Sequence, residues 1–232
     1  MIRRTLGACL LCLGATALAQ DPLPPGLRGA EKLDAIVQRV SEVQEKTTTL
    51  EAAFEQRRAS RLLAEPSVST GTFYYQAPDK VRWEYRTPRP MTMLVAGGVV
   101  LTYRPAEKRA ERMEIGRAQR KVFHFLGAAE PLEELKRYFS FTFRDRGDGA
   151  DYELVLTPTA MLLKRRLDSL TVMIGRGSFM PVAVSYVEKD GDSTAYLFRD
   201  IARNRPLPED LFAVDLPADV EVVDIKLSDR QE

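Results

Sequence analysis

The chain is poor in the residues that most chemistry needs. Of its 232 residues only two are cysteine and one is histidine. Both cysteines, Cys9 and Cys12, lie close to the start, so the body of the chain has neither a disulfide framework nor a thiolate. That suits an oxidising compartment without requiring one. With His124 as the sole imidazole, a histidine-rich metal cage is excluded, and a single possible base is left with no nameable partner. His124 stands between Phe123 and Phe125, where a rim or satisfied core position is the plainer reading. There is no Gly-x-Ser-x-Gly elbow, no phosphate-cradling loop and no dinucleotide fingerprint. Asp148, Asp190 and Asp192 occupy Gly-rich turns, where aspartate is ordinary turn chemistry and the spacing is not that of a calcium loop. No catalytic residue, metal ligand or cofactor is assigned.

An excess of charge is also missing. Lys and Arg number 34 against 33 Asp and Glu, which speaks against a nucleic-acid partner. No internal repeat, low-complexity tract or linker divides the chain, so residues 20–232 read as one domain with a sizeable core. The one long apolar run is at the start. Arg3 and Arg4 precede an apolar stretch from Leu6 to Leu18, and Ala17-Leu18-Ala19 has the small-x-small form of a cleavage site. Residues 1–19 therefore read as a secretory signal peptide, too short to span a membrane. Leu6-Gly7-Ala8-Cys9 resembles a lipobox but precedes most of the apolar run, so lipidation is not expected. Cleavage would remove two basic residues and leave 32 against 33 acidic ones, a net charge of −1. The expectation is a soluble periplasmic protein.

What is abundant is strand pattern. In residues 71–103, Val81, Trp83 and Tyr85 alternate with Arg82, Glu84 and Arg86, the period of a half-buried strand. Ala77-Pro78-Asp79 and Thr87-Pro88-Arg89-Pro90 break the chain on either side. Gly97-Gly98 closes a hairpin. Before this meander, Leu33, Ile36, Val37, Val40 and Val43 make one stripe of a helix over 30–46. Leu50, Ala52 and Phe54 then alternate into a strand, and 65–69 reads as a loop. After the meander, 107–115 predicts a charged edge strand. Val122, Phe123, Phe125 and Leu126 cluster without a polar face on a helix over 119–127, followed by a helical turn or two over 132–138. Further strands are predicted at 139–143, 152–156, 170–174, 182–187 and 194–198, with a loop or short helix over 157–166, a short helix at 207–212 and a last strand at 219–225. Spacing of this evenness predicts a mainly β fold with some α, an antiparallel barrel or a strongly curved sheet.

The order of local patterns carries a resemblance. Gly71-x-Phe73 is followed by Pro78-x-Lys80-x-Arg82-Trp83-x-Tyr85, a Pro-containing turn, Val95-x-Gly97-Gly98 and Leu101-x-Tyr103-x-Pro105. Leu211-Phe212 and Leu216-Pro217-Ala218-Asp219-Val220 close it. The chain resembles the outer-membrane lipoprotein carrier family (LolA-like). That resemblance implies an open, strongly curved antiparallel half-barrel whose helices cover an apolar cavity. The cavity would be lined by Phe54, Phe73, Val81, Trp83, Tyr85, Leu94, Leu101, Leu154, Leu156 and Val172, with Val122, Phe123, Phe125 and Leu126 on a mobile lid. Lipoprotein or lipid acyl chains are the implied cargo, at about 0.8 kcal/mol per buried methylene. The implied partners are an inner-membrane release transporter and an outer-membrane acceptor lipoprotein, and a monomer is expected. One departure stands out. Members often carry an arginine just before the first hairpin's proline, where this chain has Ala77, and neither Arg82 nor Arg86 is assigned its role. Cargo other than lipoprotein stays open, as does a periplasmic lipoprotein-sensing or interaction module of the same fold. A hydrolase with an unrecognised site ranks last.

Overall fold

The computed structural model describes residues 22–62, 64–115, 132–144, 146, 147 and 149–225. Its first element is the helix α1, Gly29–Glu45. Glu31 in the first turn complements the helix dipole, and Ile36, Val37 and Val40 form the stripe that the periodicity predicts, each fully buried. The helix ends where β-branched residues begin. The Thr47 hydroxyl donates back to the Val43 carbonyl at 2.7 Å, and Thr48 and Thr49 lead into extended chain. Asn204 fixes this corner from the far end of the sequence. Its side-chain oxygen accepts from the Thr48 amide at 2.8 Å, and its side-chain nitrogen donates to the Lys46 carbonyl at 2.9 Å.

Twelve strands follow: β1 Thr49–Ala59, β2 Ser67–Gln76, β3 Lys80–Thr87, β4 Met91–Ala96, β5 Val99–Arg104, β6 Arg109–Glu114, β7 Phe139–Arg144, β8 Tyr152–Pro158, β9 Leu167–Ile174, β10 Pro181–Glu188, β11 Ser193–Arg203 and β12 Glu221–Ile225. They form one sheet in the order β12-β6-β5-β4-β3-β2-β1-β11-β10-β9-β8-β7. The outermost strands are not paired with each other, so the sheet stays open. Its curvature can be read from ring contacts. β3 and β11 are three strand steps apart, roughly 14 Å on a flat sheet. Yet the rings of Trp83 on β3 and Tyr196 on β11 have centroids 5.1 Å apart. Side chains converge that far only on a concave face.

Three sequence expectations need correction. The charged strand at 107–115 is β6, but it is not an edge. β12 pairs with it in parallel, Val222 opposite Ala110 and Ile225 opposite Met113. The loop placed at 65–69 gives way to β2 from Ser67 onward, because Ser67, Val68 and Ser69 pair with Arg58, Arg57 and Gln56. Residues 207–212 are turns rather than a helix, closed by Leu211 N–H to the Pro208 carbonyl and Ala213 N–H to the Asp210 carbonyl. This last segment crosses the convex face. There the Arg82 guanidinium donates to the carbonyls of Leu211 at 2.6 Å and Ala213 at 3.0 Å.

Candidate functional site

Strand register sorts the side chains by face, since cross-strand partners share one. Val81, Trp83 and Tyr85 on β3 pair with Tyr75, Phe73 and Gly71 on β2. Phe54 on β1 stands opposite both Gly71 on β2 and Phe198 on β11. These residues make an aromatic layer on the concave face. Trp83 is its hub, with ring centroids 4.9 Å from Phe54, 4.8 Å from Phe73, 5.1 Å from Tyr196 and 6.0 Å from Phe198. Most of these pairs are edge-to-face or tilted, the arrangement that the ring quadrupoles favour. Gly71 makes the layer possible. A Cβ there would sit 1.9 Å from the Glu84 carbonyl oxygen and 2.7 Å from the Phe54 ring. Without one, Phe54 lies over the glycine and reaches Tyr85 at 5.0 Å.

Eight of the ten cavity residues expected in the described segments lie on this face. Phe54, Phe73, Val81 and Trp83 are buried in its aromatic half, with Tyr85 half-buried at the margin. Leu154, Leu156 and Val172 are fully buried in the half formed by β7 to β9. Leu94 and Leu101 do not join them. They pair with each other, and Leu94 pairs with Arg82, so both sit on the convex face. Val95 and Val100, paired with each other, take the inward positions on β4 and β5. The run Met91–Ala96 has bulky side chains at successive positions, so alternation alone could not decide its inner face. Val122, Phe123, Phe125, Leu126 and His124 fall outside the described residues.

Arg82 and Arg86 also point away from the concave side. Arg82 pairs with Glu84 at 2.7 Å beside its two carbonyl acceptors, and Arg86 donates to the Thr72 hydroxyl at 2.7 Å. Neither faces the apolar layer.

At one end of the sheet the aromatic layer runs into a cleft of 410 Å³ with mixed polar and apolar walls. Gln56, Arg58, Ser67, Ser69, Tyr85 and Met91 line it from the strands, with Pro88, Arg89 and Pro90 from the β3–β4 turn and Arg104, Ala106 and Glu107 from the end of β5. The junction is a short run of polar groups. The Gln56 amide donates to the Tyr196 hydroxyl at 3.0 Å, and the Tyr196 and Tyr85 phenols interact electrostatically. Burial raises the Tyr196 pKa strongly, and the nearby Tyr85 and Tyr186 add to the rise. Burial raises Tyr85 as well, partly opposed by its interaction with Tyr196. Both phenols therefore stay protonated and neutral. Tyr196, Phe198, Gln56 and Arg58 were not singled out from the sequence. The alternation of Tyr196 with Phe198 was the available signal, but only the β1–β11 pairing brings them to Trp83.

Comparison with known proteins follows the same lines. The family model described as "Outer membrane lipoprotein carrier protein LolA" matches residues 45–215. An outer-membrane lipoprotein carrier protein of Pseudomonas putida (strain W619) is 24% identical over 221 residues, covering 94% of this chain and 93% of its own. One of Dechloromonas aromatica (strain RCB) is 27% identical over 213 residues, covering 91% and 95%. Among solved structures, an uncharacterized conserved protein from Thermus thermophilus superposes with a TM-score of 0.53 at 12% identity, over 84% of this chain and 99% of that one. MucB superposes with a TM-score of 0.51 at 14% identity, over 83% of this chain and 65% of MucB. At these identities the structural likenesses speak to fold alone.

Proposed function

The chain belongs to the LolA family of outer-membrane lipoprotein carrier proteins, and from that premise we propose that it carries acyl chains across the periplasm on the concave face of its open sheet. The reading includes export by removal of residues 1–19, loading from an inner-membrane transporter and delivery to an outer-membrane acceptor. It assigns no enzymatic step. Among the described residues no helix is long and apolar enough to cross a membrane, in keeping with a carrier that travels between membranes.

The observation that supports this most is the aromatic layer centred on Trp83. In this structure the layer is closed, with Phe73 fully buried and Trp83 at 2% exposure. An incoming acyl chain must therefore replace contacts that already exist. Each ring pair contributes about 0.5–1.5 kcal/mol beyond its buried area, and each methylene gains about 0.8 kcal/mol on leaving water. Terms of similar size make the exchange nearly balanced, so cargo can be taken up and surrendered without a chemical energy source on this protein. Apolar contact also places no demand on headgroup or peptide, which suits a carrier of many lipoproteins.

Trp83 is the only tryptophan and serves as the probe. Titrating delipidated protein with a fatty-acyl ligand should shift its emission, and adding the protein to spheroplasts should release lipoprotein into the medium. An unchanged spectrum at saturation, with binding verified independently, would remove the concave face from consideration. Failure to release any lipoprotein, despite acyl binding, would remove lipoprotein as the cargo.

A further inference from the structure

The cleft beside the aromatic layer sets charged and polar groups among apolar walls, and the acyl-carrier reading makes no use of it. Its position follows from register. Arg58 pairs with Ser67, and Gln56 with Ser69. Both pairs fall on the concave face, two and four residues along β1 from Phe54. Met91 pairs with Tyr85 on the same face. The cleft is thus the mouth of the concave face at the end where β1, β3 and β5 finish. Tyr85 belongs to both regions, lining the cleft and touching the Phe54 ring. A ligand with its headgroup among the polar groups would have its chain directed past Tyr85 towards the rings, where it must displace the contacts that now close the layer.

The headgroup's charge can be read from the cations. Arg58, Arg89 and Arg104 line the cleft against one carboxylate, Glu107. Arg104 is held by Glu111 at 3.0 Å, but that carboxylate is shared with Arg109 at 3.3 Å. Arg58 reaches Asp192 only at 3.8 Å, with half its side chain exposed. Arg89 has no carboxylate or other acceptor among the described residues. It stands between Pro88 and Pro90, whose rings restrict the backbone on both sides and hold it at the rim. Ser69 adds a hydroxyl donor, while the Ser67 hydroxyl is turned to the Arg58 carbonyl at 3.5 Å. Cationic nitrogens beside a hydroxyl, in a volume within the usual range for small-molecule sites, recognise an oxyanion through charge-assisted hydrogen bonds. The Pro88, Pro90 and Met91 walls suit the glycerol-like carbons behind one.

We propose that this cleft holds the anionic headgroup of an acyl lipid whose chain lies on the aromatic layer, with Arg58 and Arg89 as the principal contacts to its phosphate. The proposal rests on the acyl-carrier reading and adds a headgroup preference to it. The cargo of this chain extends to phosphate-bearing lipids, and the cleft confers the preference.

The test compares three single-chain amphiphiles of equal chain length: lysophosphatidylglycerol, lysophosphatidylcholine and the neutral monoacylglycerol. Delipidated full-length mature protein is titrated with each below its critical micelle concentration, with Trp83 emission and native mass spectrometry as readouts. Inorganic phosphate is titrated alone as a further arm. Lysophosphatidylglycerol is expected to bind about tenfold more tightly than monoacylglycerol, about 1.4 kcal/mol, with the preference shrinking as salt is raised. In the double variant Arg58→Gln, Arg89→Gln the preference falls towards unity. In Arg57→Gln, which changes a neighbouring arginine on the convex face, it persists. Equal binding of the charged and neutral amphiphiles by the wild type overturns the headgroup site and leaves the acyl carrier standing. So does a preference that survives the double variant. If lysophosphatidylcholine binds as tightly as lysophosphatidylglycerol, the phosphate itself is read. If it binds like monoacylglycerol, net charge is read. Either result supports the site. Competition by inorganic phosphate at millimolar concentration, with monoacylglycerol undisturbed, supports it further. Failure of all three amphiphiles to bind takes down the acyl-carrier reading, and this proposal with it.

Discussion

The two halves of the concave face are built differently. Around β1, β2, β3 and β11 it is a plate of rings, Phe54, Phe73, Trp83 and Phe198, meeting edge to face or tilted. Around β7, β8 and β9 rings and aliphatic side chains are interleaved, Phe139, Phe141, Phe143 and Tyr152 with Leu154, Leu156, Leu170, Val172 and Ile174, in the same core as Ile36, Val37 and Val40 of α1. Over this half α1 is tied to the segment that follows it in space by a specific polar contact, the Leu132 amide donating to the buried Gln44 side-chain oxygen at 3.1 Å. The 3₁₀ helix Leu132–Arg137 begins at that bond. The plate of rings runs instead into the cleft. On the proposed reading, the half under α1 holds the fold and the plate around Trp83 exchanges its contacts for those of a guest.

Three substitutions can break or sharpen this contrast. The largest effect is expected for Ile36→Ala, on the α1 face that covers the β7–β9 half. Removing a fully buried side chain should cost about 2–5 kcal/mol in urea unfolding, while the Trp83 response to acyl ligand is retained. Loss of that response at temperatures where the variant stays folded would show that the halves are not separable. Gly71→Ala should cost about 1–3 kcal/mol through overpacking against Phe54 and the Glu84 carbonyl. Its signature is local, a change in Trp83 emission and near-UV circular dichroism before any ligand is added. An unperturbed spectrum would mean that the aromatic plate tolerates a displaced Phe54 and is softer still. The smallest effect belongs to Tyr196→Phe, about 1 kcal/mol for a lost internal hydrogen bond.

That last substitution also carries a pH dependence with a defined sign. Tyr85 and Tyr196 have pKa values raised in the folded state above the ordinary 10.0. The folded protein thus binds more protons than the unfolded chain once pH exceeds about 10. Stability from these groups is fully present below that value and is lost as pH rises towards the folded-state pKa. Urea midpoints measured between about pH 9 and pH 11 should fall less steeply in Tyr196→Phe than in the wild type. Parallel slopes would mean that Tyr196 ionises normally and that its junction with Tyr85 is open to water.

Much of this architecture is legible from residue order alone. The α1 stripe, the β3 alternation, the Gly97-Gly98 hairpin and most strand positions follow from periods and turn residues, which are local. What failed was what locality does not contain. The parallel pairing of β12 with β6 joins residues over a hundred positions apart, with no turn between them to announce it. The outward placement of Leu94 and Leu101 depends on register with Arg82, because strand β4 is apolar on both faces. At the site, Trp83 and its neighbours on β2 and β3 were readable because they are close in sequence. Tyr196 and Phe198 were not, since they arrive through β11. The cleft was illegible for the same reason: Arg58, Arg89 and Arg104 come from three separate strand ends, and arginine at a strand end is common enough to carry no signal by itself.

A sheet that never closes keeps a growing end. The outermost strand presents a row of unsatisfied backbone donors and acceptors, to which another chain can add as the next strand. Here the rim beyond β6 is the five-residue β12, short and carrying Glu221 and Asp224. Two copies meeting rim to rim would have to bring four carboxylates together along a ladder of only a few hydrogen bonds. Its exposed Val222 and Ile225 would otherwise favour such a union. At this end of the sheet the late return of the chain to β6 thus replaces a six-residue edge by a five-residue one that repels its own kind.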